Sequence, residues 1–183
     1  MDSAYLLSNR KSTAILTNPA PSADIIEKII QAAQKAPDHA GLGPSRLIII
    51  QGDGLSRLGD LYEKSLLARD PQASELERSR CHMQVKRSPL IIAVIAKIVE
   101  HRGVPEIEQI MSSACTAHAI LYSAFAYGYG AIWRTGVNAY DSQVKQGLNL
   151  ASNEKIIGFI YIGSIAEQVP SSNKTKAIEV SYW

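Results

Sequence analysis

The chain has 183 residues, 46% of them hydrophobic and 20% charged, which is enough to bury one substantial core, too little for two, and unlike a disordered or fibrous sequence. Nineteen basic against seventeen acidic residues leave a formal charge of +2, which excludes a broad cationic surface for nucleic acid or an anionic membrane. Cys81 and Cys115 form neither a Cys-x-x-Cys pair nor a secreted disulfide framework, so two reduced thiols in a cytoplasmic protein are expected.

The start, Met1-Asp-Ser-Ala-Tyr-Leu-Leu-Ser-Asn-Arg10, has no basic n-region and no long apolar h-region, and it does not read as a secretory signal. Ser3 can cap a short helix that ends near Asn9, where the basic turn Arg10-Lys11-Ser12 follows. After Asn18-Pro-Ala-Pro21, Ser22 is a natural N-cap with Asp24 in the first turn, and Ile25, Ile26, Ile29, Ile30 and Ala33 recur at helical spacing. This helix must stop near Ala36, because Pro37 restrains the residue before it. An irregular stretch through His39, Gly41 and Gly43 leads into Leu47–Ile50, a short β-branched run that predicts a buried strand.

Gly52-Asp-Gly54 turns the chain, and Leu55, Leu58, Leu61 and Leu66 predict another amphipathic helix. The segment 71–88 is the most polar in the protein and predicts a surface helix or lid with little core contact. Leu90–Ala96 is a second buried strand. The longest helix is expected from Pro105 to Tyr127, with Ile107, Ile110, Met111, Ala114, Ala117, Leu121 and Phe125 on one face. Cys115, Ala119, Ile120 and Tyr122 make its other faces nearly as apolar, so it should be covered on every side. A chain this small has little left to surround it, which points to a second subunit.

The interruptions at Thr116, His118, Ser123 and two glycines make 114–133 a poor membrane span. His118 itself reads as a satisfied core histidine. Gly128-Tyr-Gly130 ends the helix, Ala131–Arg134 is a short strand, Ser142–Leu148 a short helix and Ile156–Ile162 a strand, with a polar tail from Glu167. Two helices precede any predicted strand, so the order is not a βαβ alternation, and a single α+β domain over residues 1–183 is expected.

Gly41-Leu-Gly43 and Gly128-Tyr-Gly130 lack the third glycine and the strand-to-helix setting of a dinucleotide fingerprint. No phosphate-binding Gly-x-x-x-x-Gly-Lys motif and no Gly-x-Ser-x-Gly elbow occurs. His39, His82, His101 and His118 have no ligand-spaced partners, so no metal is expected. What remains is a set of cations at turns, Arg10-Lys11-Ser12 and Arg134-Thr135-Gly136. Two readings stand for each: a solvated basic turn, or part of one shared phosphate site.

The opening Asn9-Arg10-Lys11-Ser12, the helix end Ala36-Pro37-Asp38-His39, and Gly130-Ala-Ile-Trp133-Arg134-Thr135-Gly136 together resemble the marks of the nitroreductase-like flavoproteins, in a compact subgroup of that family. The likeness runs over nearly the whole chain, in order and at family spacing. It implies a central mixed or antiparallel sheet flanked by helices, and an intertwined homodimer with FMN in clefts between subunits.

By that resemblance Arg10, Lys11 and Ser12 bind FMN, with Arg10 and Ser12 toward its phosphate. Trp133, Arg134 and Thr135 complete the pocket, and Lys35 and His39 reach the flavin from the partner chain. Ser123, Ala124, Phe125, Ala126, Tyr127 and Gly128 match the stretch that meets the nicotinamide dinucleotide, although they serve equally well as core. The implied activity is ping-pong transfer of electrons from NADH or NADPH through FMN to a nitroaromatic, quinone or related small acceptor. Flavin N5 carries the chemistry, with no obligatory acid or base from the protein. One departure stands out: the subgroup's glutamine and tryptophan around the proline after His39 are replaced by Gly43-Pro44-Ser45, which should loosen the cleft. That change also keeps open a second reading, a flavin carrier or sensor without turnover.

Overall fold

The run Leu90-Ile-Ile-Ala-Val-Ile-Ala96 has no polar face to turn outward, and the computed structural model buries all of it inside an antiparallel sheet. The structure describes residues 2–166 and 177–183, so the expected tail from Glu167 lies outside the described residues as far as 176. In chain order the elements are α1 (Ser3–Asn9), β1 (Leu16–Thr17), α2 (Ala23–Ala33), β2 (Ser45–Gln51), α3 (Asp53–Arg69), α4 (Glu75–Val85), β3 (Leu90–Lys97), α5 (Glu106–Ala126), β4 (Gly130–Arg134), α6 (Val137–Tyr140), α7 (Ser142–Gly147) and β5 (Glu154–Ile165). The strands run in the order β1-β5-β3-β2, with β4 also paired to β5, and every ladder is antiparallel. The class is α+β, as expected.

Alternation along β3 divides the core in two. Ile91, Ala93 and Ile95 pack with Leu58 and Tyr62 of α3 and Val85 of α4, while Leu90, Ile92 and Val94 pack with Ile29 of α2 and Ala117 and Ile120 of α5. Helices therefore cover both faces of the sheet. Ser22 caps α2 as its position predicts, accepting from the N–H of Ile25 at 3.4 Å.

Three expectations need correction. The first strand, β1, lies between α1 and α2, and β2 is an edge strand in which only Ile50 is buried, because β3 shields one side alone. The polar segment does form a surface helix, but α4 is anchored: a Ser74–Glu77 capping box starts it, and Cys81 and Val85, four residues apart, enter the core. Glu63 of α3 also accepts from Arg78 at 2.5 Å and contacts His82 Nε2 at 2.7 Å.

The third correction concerns α5, whose buried face is the more polar one. Gln109 bonds the backbone of Val99 at 2.9 Å in both directions, and Ser112 donates to the carbonyl of Pro37 at 2.7 Å. Thr116 shares a 2.8 Å bond with Ser45. Buried hydroxyls and amides are tolerated here because the neighbouring loops satisfy them. Ile107 and Met111 are instead 59% and 58% exposed, and Cys115 and His118 continue their stripe along the outer face. His118 is thus a surface residue, with its ring 4.6 Å from that of Tyr122.

Candidate active site

Two distant parts of the chain meet on β4. The N–H of Thr13 donates to the carbonyl of Ala131 at 3.0 Å, and Ser12 forms a parallel bridge with Ala131, the one parallel pairing among the described residues. The turn Arg10-Lys11-Ser12 is thereby laid beside the strand that carries Trp133 and Arg134. Arg10 leaves the end of α1 with its guanidinium carbon 5.6 Å from the ring centre of Tyr122 on α5, and Tyr122 donates to the carbonyl of Leu7 at 3.3 Å. Lys11 and Ser12 are exposed.

Successive residues of β4 point to opposite faces of the sheet. Trp133 turns toward the α2/α5 side, where its indole N–H donates to the carbonyl of Ile157 at 3.2 Å. The indole lies so close to β5 that a Cβ on Gly158 would stand 2.0 Å from its nitrogen. Arg134 turns to the α3/α4 side, with its guanidinium carbon 5.7 Å from the ring centre of Tyr161. Its Nε is buried and has no hydrogen-bond partner among the described residues. An unpaired buried donor costs about 1–3 kcal/mol, so this one is poised for a ligand acceptor.

A cavity of about 420 Å³ opens there, lined by Arg134, Thr135, Gly136, Asn138, Tyr62 and Gln84 among others. Burial, then the adjacent Tyr161, pushes the Tyr62 hydroxyl far above the ordinary tyrosine range. Burial also raises Tyr161, against the opposing pull of Arg134. Both phenols stay neutral at physiological pH and can donate to oxygen without adding negative charge.

Arg10 and Arg134, expected to share one pocket, lie on segments joined by the bridge between Ser12 and Ala131. The guanidinium of Arg10 rests on the ring of Tyr122 and that of Arg134 on the ring of Tyr161. Lys35 and His39 sit elsewhere again, after α2. Lys35 is exposed, and His39 Nδ1 lies 2.5 Å from Glu108 Oε2 in the first turn of α5. Fourteen residues of α5 separate Glu108 from Tyr122, about 21 Å at 1.5 Å per residue. One protomer therefore does not bring His39 to Arg10.

In the stretch matched to the nicotinamide dinucleotide, Ser123 and Ala124 are buried. Phe125 is half-buried, and Ala126, Tyr127 and Gly128 reach the surface. Beside Gly43-Pro44-Ser45 a second cavity of about 450 Å³ opens, lined by Ala36, Asp38, Leu47 and Thr116. Sequence reasoning missed Glu108, Gln84, Tyr62 and Tyr161. For Tyr161 a signal existed, since strand alternation puts it on the face opposite Ile160 and Ile162.

The Nitroreductase family model matches residues 7–164 of the chain. The chain belongs to the nitroreductase family. It is 35% identical over 164 residues to the Escherichia coli K12 protein named "Putative NAD(P)H nitroreductase YdjA", covering 90% of this chain and 88% of that one. It is 30% identical over 169 residues to a Haemophilus influenzae protein named "Putative NAD(P)H nitroreductase", covering 92% and 91%. Among solved structures, a nitroreductase-like family protein from Bacillus cereus superposes with a TM-score of 0.80 at 20% identity, covering 96% of this chain and 92% of that one. A nitroreductase with bound FMN from Bacteroides fragilis superposes at 0.76 and 18% identity over the full length of both chains. The fold is that of the nitroreductases. No helix among the described residues is long and apolar enough to cross a membrane.

Proposed function

We propose that this nitroreductase-family protein binds FMN between two copies of itself and passes electrons from NADH or NADPH to a nitroaromatic, quinone or related small acceptor. The observation that carries the reading is the Nε of Arg134, buried and without a partner among the described residues, in a cavity on the strand to which the basic turn is tied. Relatives named as NAD(P)H nitroreductases and an FMN-bound fold neighbour support the cofactor and the donor. When bound, FMN would supply the redox chemistry, ping-pong hydride transfer between nicotinamide and acceptor.

The chain's own residues hold and tune the group. Arg10, Lys11 and Ser12 offer charge-assisted hydrogen bonds to the phosphate, worth about 1.5–3 kcal/mol each. Arg134 Nε and Thr135 serve the ring edge, while the Trp133 indole, already bonded to Ile157, stiffens the strand and leaves only its backbone for the ligand. Lys35 places a cation where negative charge gathers on the reduced ring.

A second copy supplies what one protomer lacks. Ile107, Met111, Cys115, His118 and Tyr122 follow one another at three- and four-residue steps on the outer face of α5, an apolar stripe suited to a two-fold partner. Antiparallel crossing of two such helices sets the Glu108 end of one beside the Tyr122 end of the other. The partner's His39 and the partner's Lys35 then approach Arg10.

The experiment is steady oxidation of NADH or NADPH by purified, yellow protein with menadione or a nitrofuran as acceptor. Turnover supports the oxidoreductase. Bound FMN without turnover favours the carrier or sensor, the reading to which Gly43-Pro44-Ser45 lends weight.

A further inference from the structure

Glu108 Oε2 approaches His39 Nδ1 to 2.5 Å, and His39 opens the tight 3-10 turn His39–Gly41. That turn is fixed from several sides. Ser112 donates to the carbonyl of Pro37 at 2.7 Å, and Asp38 Oδ2 accepts from the N–H of Gly43 at 2.7 Å. Ala40 is held at φ 63, a left-handed conformation that few non-glycine residues adopt. The backbone beneath His39 is therefore set before any ligand arrives.

An ionised carboxylate can only accept, so the proton between Glu108 and His39 belongs to Nδ1. A neutral imidazole carries one N–H, and the hydrogen bond made by one nitrogen decides the state of the other. Nε2 is then left with its lone pair. It makes no hydrogen bond among the described residues, and the His39 side chain is 61% exposed.

We infer that Glu108 is a positioning residue for His39: it selects the Nδ1–H tautomer and presents Nε2 as an acceptor, so the ligand group that His39 meets is a hydrogen-bond donor. The identity of that group rests on the FMN reading. In oxidised FMN the donors are the ribityl hydroxyls and the ring N3–H, whereas the phosphate and the ring carbonyl oxygens accept. His39 thus takes the ribityl chain or N3–H, and the phosphate falls to Arg10, Lys11 and Ser12.

Nitrogen-15 ring spectra of the FMN-free protein at about pH 8.5, two units above the usual histidine value, read the tautomer directly. Wild-type His39 should show Nδ1–H, and Glu108→Ala should convert it to the Nε2–H form. FMN affinity is the second readout. His39→Ala and Glu108→Ala should each raise the dissociation constant about tenfold, as expected for one lost hydrogen bond, and the double variant should lose no more than either alone. Nε2–H in the wild type would overturn the inference whatever the flavin does. Fully additive losses in the double variant would overturn it as well, since Glu108 would then act apart from His39. The expected tautomer switch with FMN affinity indifferent to His39→Ala would leave the Glu108 hold standing and contradict the flavin assignment of His39.

Discussion

The N–H of Thr13 donates to the carbonyl of Ala131 at 3.0 Å, and this one bond fixes the basic turn beside β4. Short basic turns are usually solvated and mobile. Here the ladder holds Arg10, Lys11 and Ser12 at a defined distance from the cavity behind Arg134.

Arg10→Ala should therefore weaken FMN binding about ten- to a hundredfold, the loss of one or two charge-assisted bonds, while the protein stays folded. Flavin fluorescence titration measures this, and circular dichroism checks the fold.

Arg134 should behave differently, because its buried Nε has no partner among the described residues. Arg134→Met removes that donor along with its desolvation burden, so the FMN-free protein should melt no lower than wild type. The gain in melting temperature on adding FMN should shrink, since stabilisation by a ligand follows its affinity.

The indole of Trp133 lies against β5 at Gly158, which has no Cβ to meet it. Gly158→Ala would drive a Cβ into the indole nitrogen, break its bond to Ile157 and cost about 1–3 kcal/mol. A lower melting temperature and a red-shifted tryptophan emission are the expected signs.

Acid should loosen the α3–α4 clasp. Hydrogen bonds from His82, then Arg78, hold the Glu63 carboxyl below its ordinary value of 4.5. A carboxylate whose folded value is depressed contributes stability above the unfolded value, and the contribution is lost as the pH falls through the folded one. Glu63→Gln should melt below wild type at neutral pH, with the difference closing as the pH drops below about 4.5. Thermal melts over that range check it.

The outer stripe of α5 gives the proposed dimer its own test. Met111→Lys sets two like charges against each other across a two-fold interface, so light scattering should report a folded monomer. That monomer should bind FMN weakly, lacking the partner's contribution.

Much of this architecture was legible in the residues. Ser22, the isoleucine spacing of α2 and the uninterrupted run of β3 state their structures outright. Strands as short as β1, with two residues, and helices as short as α6, with four, have no periodicity to read. The orientation of α5 was hidden for a different reason. Both faces are apolar enough to be core, and only the hydrogen bonds of Gln109, Ser112 and Thr116 to loops reveal which one the protomer buries. The separation of Trp133 from Arg134 was readable, because neighbours in a strand cannot share a face. The pairing of Glu108 with His39 was not, since it depends on where α5 crosses the loop.

Subunit mixing tests the proposed shared cleft most directly. Arg10→Ala and His39→Ala dimers, each weak for FMN, should on exchange form mixed dimers in which one cleft carries both defects and the other carries none. Recovery of one tight FMN site per mixed dimer is the predicted result. Failure to recover any tight site in verified mixed dimers would contradict a cleft built from two chains.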